Sequence, residues 1–197
     1  MPLSERILRW LSVRPSWSEF GRLLGNLFML EIAWSAFVLL ILKTTLGVIG
    51  DASGSTEVLR TELERSIADG PVRFLCILAL VVFTEEVLFR FIPLSAVLLF
   101  AWIRARWIYA VFPVMFIASA VFGLIHLGNH DDVTAEAVIS VLLLQGVSGI
   151  GLSILFLKYA GLRLRYVFVA LMATTTSHIL WNSFAMMPMI VYVLLLQ

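Results

Sequence analysis

Charge is what this chain has least of. Only 14% of its 197 residues are Asp, Glu, Lys or Arg and 61% are hydrophobic, whereas a soluble domain carries about 25% charged and about 45–50% apolar residues. With a mean hydropathy of +1.00, most of the chain has lipid rather than water as its solvent. The net charge of +1 and the lack of any basic tract leave no electrostatic ground for a nucleic-acid partner. The one cysteine, Cys76, cannot close an intramolecular disulfide, and its apolar neighbours read as the setting of a packed thiol. No Gly-x-Ser-x-Gly and no His-Glu-x-x-His occurs, so serine-elbow hydrolases and zincins lack their motifs. Arg6, Arg9, Arg14 and Arg22 precede the first long apolar run, but no small-residue cleavage site follows, which is not a signal-peptide pattern.

What the chain does have is a succession of long apolar runs. Residues 1–22 mix Leu3, Ile7, Leu8, Trp10, Leu11 and Trp17 with arginines, and read as an interfacial amphipathic segment broken at Pro15. A first span is expected over 23–48, and it contains Glu31, which either sits near the interface or pairs inside the bundle. Residues 50–70 form a polar connection whose second half reads as a short surface helix. The apolar run 71–103 exceeds one untilted span by about ten residues, and Pro93 is its expected break or kink. Further spans read as 107–127, 133–157 and 164–186, with Pro188 separating a last short apolar helix. The expected fold is all-α: a polytopic transmembrane bundle of about six to seven membrane helices, with residues 23–197 as one membrane-embedded domain. Arginines in the N-terminal segment, Arg104 and Arg106 in one turn, and Lys158, Arg163 and Arg165 in another contrast with the turn 128–132, which has no Lys or Arg. The positive-inside rule then predicts a cytoplasmic N-terminus, and the small size of the chain points to a prokaryotic inner (plasma) membrane.

Against this background three polar clusters stand out. Glu85, Glu86 and Arg90 interrupt an apolar stretch, where a charge costs several kcal/mol and needs a partner. On a helix Glu86 and Arg90 are i,i+4 and share a face. Glu85 is rotated by about 100° from its neighbour. Glu86 with Arg90 therefore reads as a structural ion pair, and Glu85 as the carboxylate left to act as a general base. The second cluster is Phe122 and His126, one turn apart near the end of a span; the third is His178 and Asn182, again i,i+4. Each has a structural reading, as a packed histidine or an interhelical hydrogen bond. Together they offer a carboxylate, two imidazoles and an amide on three spans, a set able to activate water and to stabilise an oxyanion. Two histidines and a glutamate can also ligate zinc with one position open, so the residues alone leave metal-free and zinc-dependent hydrolysis both open.

The ordered motifs Glu-Glu-x-x-x-Arg (85–90), Phe-x-x-x-His (122–126) and His-x-x-x-Asn (178–182) resemble the CPBP family. That family comprises CAAX prenyl endopeptidases, related bacterial membrane proteases and bacteriocin-immunity or Abi proteins. The resemblance covers about residues 70–185 and implies a metal-independent glutamate protease of a membrane-associated protein or peptide. It implies that Glu85 and His126 activate water, that His178 and Asn182 bind the oxyanion, and that Glu86, Arg90 and Phe122 support the site. Many members carry Gly after the arginine, where this chain has Phe91. A non-proteolytic immunity or scaffold protein with the same fold is the alternative. A transporter reading lacks inverted-repeat symmetry or paired broken helices.

Overall fold

Apolar sequence in lipid must satisfy its own backbone hydrogen bonds, which leaves helices as the local solution. The computed structural model describes residues 2–46, 65, 70–130 and 132–195, and among them no strand occurs. Helix α1 (Leu3–Ser12) is followed after Pro15 by α2 (Trp17–Leu46). Next come α3 (Pro71–Glu86), a π-helical turn (Val87–Phe91) and α4 (Ile92–Ile103). A 3-10 segment (Ala105–Ala110) leads into α5 (Val111–Ile125), which ends in a 3-10 turn (His126–Asn129). Then α6 (Ala135–Val141) passes through a second π-helical turn (Leu142–Gly146) into α7 (Val147–Ala160). After the 3-10 turn Leu164–Tyr166, α8 (Val167–Leu195) closes the bundle. Among the described residues, three stretches are long and apolar enough to cross a membrane: Ser18–Ile41, Ala105–Gly128 and Ala135–Ala160. The molecule is an all-helical membrane bundle.

Several sequence expectations are corrected here. Pro93 does not break the 71–103 run. A proline inside an α-helix lacks its N–H and clashes with the carbonyl four residues back. Just before it, the Ile92 N–H bonds to the Val87 carbonyl, five residues back, and this widened turn lets α3 continue into α4. Pro188 likewise starts no separate helix, because α8 is continuous to Leu195. The first span begins earlier than expected, since α2 starts at Trp17; residues 47–48 lie outside the described residues. So does the 50–70 connection, apart from Arg65 and Gly70. Cys76 is exposed on the outside of α3, so it is not a packed thiol.

The apolar core lies where α4, α5, α7 and the start of α8 meet, around Leu94, Leu98, Val111, Leu155, Phe156 and Leu171. Leu8 and Leu11 add one face of α1 to it, while Leu3, Ile7 and Trp10 stay exposed. Lys158 Nζ donates to the Trp10 carbonyl, and Arg14 Nε donates to the Tyr159 carbonyl at 2.9 Å, tying the N-terminal segment to the end of α7. In lipid, helices associate through close packing of small residues. The seam between α5 and the α6–α7 helix has that character: a Cβ on Gly123 would stand 2.9 Å from the Val141 carbonyl oxygen and 3.0 Å from the Gly146 nitrogen. This close approach sets α7 against α5 beneath the polar residues of α3.

Candidate active site

Arg90 sits in the π-helical turn with no exposed surface, and Glu86, one turn earlier, is equally buried. Arg90 Nη1 donates to Glu86 Oε1 at 3.0 Å. The ion pair expected from the i,i+4 spacing is therefore present. The same Oε1 also faces His178 Nδ1 of α8 at 2.8 Å. With an ionised carboxylate as acceptor, that nitrogen carries the proton and donates. On the other side of the ring, His178 Nε2 lies 3.8 Å from Glu85 Oε2. One imidazole thus stands between the two adjacent glutamates, hydrogen-bonded to Glu86 and near Glu85. Exposure rises along the chain of contacts, from 0% at Arg90 and Glu86 to 6% at His178 and 20% at Glu85. Glu85 is the end that opens outward.

Phe122 is the packing centre of the site. The Arg90 guanidinium lies over its ring at 4.1 Å, a cation–π contact. The rings of His126 and His178 meet it edge-on, at centroid separations of 4.8 Å and 5.8 Å. His126 Nδ1 donates to the Phe122 carbonyl at 2.8 Å. A carbonyl can only accept, so the neutral ring is protonated at Nδ1 and offers Nε2 as an acceptor. Gly149 of α7 completes the floor: a Cβ there would lie 3.1 Å from the Phe122 ring and 3.2 Å from Arg90 Nη2.

The structure brings Glu85, Glu86, Arg90, Phe122, His126 and His178 into one cluster. It does not bring Glu85 and His126 within ion-pair distance of each other. Asn182 is half-buried one turn beyond His178, and among the described residues its side chain forms no hydrogen bond. His178 is engaged with Glu86 rather than with Asn182. Glu86 Oε2 and Arg90 Nε and Nη2 are buried without a partner, so the network keeps hydrogen-bonding capacity for water.

Sequence reasoning missed Glu31 as a neighbour of this site. It lines a cavity of about 470 Å³ between α2, α7 and α8, together with Ser177 and Trp181, which flank the helical turn of His178. A Cβ on Gly151 would be 3.4 Å from its Oε1, and Arg90 acts on it electrostatically. A carboxylate placed mid-span was the signal in the sequence; its target could not be read without the fold.

Fold and site together define a membrane bundle whose interior holds a dry arginine–glutamate–histidine network beside a half-open glutamate. The Type II CAAX prenyl endopeptidase Rce1-like family model matches residues 68–184, more than half of the chain, and the chain belongs to this family. No curated protein and no solved structure matches it.

Proposed function

We propose that this protein is an intramembrane endopeptidase that hydrolyses a peptide bond of a membrane-associated protein or peptide, with Glu85 as the base and no metal taking part. The observation that carries the reading is the graded chain Arg90–Glu86–His178–Glu85, dry at one end and open at the other. A general base must be held in place and still reach water, and a 20% exposed carboxylate beside an anchored imidazole meets both needs.

In the proposed reaction, Glu85 takes a proton from water as the water oxygen bonds to the peptide carbonyl carbon. His126 Nε2, an acceptor because Nδ1 is held by the Phe122 carbonyl, is the second group on that water. The carbonyl electrons move onto oxygen, and His178 and Asn182 donate to the oxyanion. With Nδ1 committed to Glu86, donation from His178 Nε2 requires the imidazolium, for which Glu86 is the counter-charge. The tetrahedral species then collapses, the C–N bond breaks, and the proton held on Glu85 passes to the leaving amine. The arginine-bearing turns support a cytoplasmic N-terminus.

The test is cleavage of a membrane-anchored peptide library by the reconstituted protein. Glu85→Gln changes little volume and should lower cleavage by about 10²–10⁴-fold, while a chelator leaves the wild-type rate unchanged. Undiminished cleavage by Glu85→Gln sinks the base assignment. Loss in chelator with recovery on added zinc turns the reading to a metalloprotease. A wild-type protein that cleaves nothing in the library favours the scaffold or immunity alternative.

A further inference from the structure

At the end of the molecule where α4 stops and α7 turns into α8, a second cleft opens, of about 720 Å³. Its walls are apolar, formed by Leu98, Ala101, Trp102 and Ile108, and Arg163 and Arg165 also line it. The membrane level is set by the spans: Ala105–Gly128 begins here and Ala135–Ala160 ends here. The cleft therefore sits at one boundary of the hydrocarbon layer. Trp102, 79% exposed, is placed where interfacial aromatic belts occur.

Arg163 and Arg165 are both exposed at this edge. Arg165 lies over the Tyr166 ring at 4.6 Å, and Arg14 lies over the same ring at 3.8 Å. Arg104 and Arg106 flank Ala105, another residue of the cleft. Among the described residues, none of Arg104, Arg106, Arg163 or Arg165 forms an ion pair. Guanidiniums gathered without a carboxylate repel one another, and their planar forks match phosphate. A small anion would answer the charge but leave the apolar walls bare. A ligand with a phosphate at one end and hydrocarbon at the other answers both.

We propose that this cleft is a binding site for one anionic phospholipid, with its phosphate on Arg163 and Arg165 and an acyl chain against Leu98, Ala101 and Trp102. Basic pockets at the ends of membrane helices hold acidic headgroups in this way. None of these residues belongs to the carboxylate site, so the proposal stands independently of the proposed hydrolysis.

The experiment is native mass spectrometry of the full chain in neutral detergent, titrated with equal amounts of phosphatidylglycerol and phosphatidylcholine. Phosphatidylglycerol should be retained in preference, and Arg163→Gln with Arg165→Gln should weaken its binding by about 30-fold. Arg73→Gln, at the opposite end of the continuous 71–103 helix and exposed, should leave it unchanged. Ala101→Phe fills the cleft without altering charge and should weaken lipid binding as well, which keeps the idea testable should the arginine pair be needed for folding. Equal retention of the two lipids overturns the proposal, as does an equal loss in the Arg73 variant. Displacement of the lipid by millimolar inorganic phosphate also overturns it, in favour of a small-anion site.

Discussion

The buried ion pair makes an unequal prediction for its two members. Arg90 is the cation on which Glu86, Glu85 and Glu31 all act, with Glu86 in direct contact at 3.0 Å. Replacing Arg90 by Met removes the cation that acts on three carboxylates, two of them on adjacent residues. Breaking a buried pair by removing one partner costs about 3–5 kcal/mol, and the contact of the guanidinium with Phe122 at 4.1 Å is worth a further ~1 kcal/mol. Relief of the two unpartnered donors Nε and Nη2 works the other way, at about 1–3 kcal/mol for each one that water does not reach. With water on one of the two donors, Arg90→Met should therefore lose about 3 kcal/mol. Glu86→Gln is milder. Its carbonyl can still accept from Arg90 Nη1 and His178 Nδ1, and Glu85 and Glu31 remain to compensate Arg90. Its loss should stay below about half that of Arg90→Met. In the double variant Glu86→Gln, Arg90→Met, one fewer carboxylate is stranded, so the losses should be less than additive by about 1–3 kcal/mol. Unfolding of the reconstituted protein in mixed micelles of rising SDS fraction measures all three. Equal losses for the single variants, or strict additivity in the double, would refute the view that Arg90 neutralises several carboxylates at once.

Two glycines of the α5–α7 seam should respond differently to alanine. Gly123→Ala forces a Cβ to 2.9 Å from a backbone oxygen, whereas at Gly146 the nearest atom is 3.5 Å away. The first should cost about 1–3 kcal/mol and the second little, read by the same unfolding assay; a harmless Gly123→Ala would show that the seam is looser than described. At the end of α7, Gly161 is left-handed with φ +56°, followed by Leu162 at φ +54°. Gly161→Ala should lose about 1–2 kcal/mol and displace Arg14, whose Cγ would lie 2.6 Å from the new Cβ. Limited proteolysis near residues 12–16 should accelerate; an unchanged cutting pattern would mean that α1 is held by its apolar face alone.

How much of this was legible depends on the range over which each residue acts. The Glu86–Arg90 pair follows from helix phase within one turn, and it is found as expected. The partner of His178 lies 92 positions away, and nothing in the His-x-x-x-Asn spacing says that its Nδ1 goes to Glu86 on another helix. The same limit applies to Glu31, whose neighbours come from α7, α8 and the arginine of the π-helical turn. Pro93 misled for a different reason. Its steric demand is real, but an i→i−5 turn just before it absorbs that demand, and a pattern read at 3.6 residues per turn does not anticipate the change of winding. Cys76 misled because apolar neighbours in sequence mean burial in water-soluble domains, whereas in lipid they are equally found on the outer face.

The two glutamates show how the local and the tertiary terms combine. Adjacent on α3, they point about 100° apart, so Arg90 hydrogen-bonds Glu86 alone and acts on Glu85 only through space. What differentiates them is α8. His178 enters between the two faces and presents Nδ1 to the dry glutamate and Nε2 to the open one. An amide or hydroxyl in its place could reach one carboxylate but not both, because no other side chain carries two nitrogens on opposite edges of a rigid ring, both of them donors in the imidazolium. The imidazole therefore couples the buried ion pair to the exposed carboxylate. The Arg90–Glu86 pair is thereby linked to Glu85 through His178, a residue from a different helix.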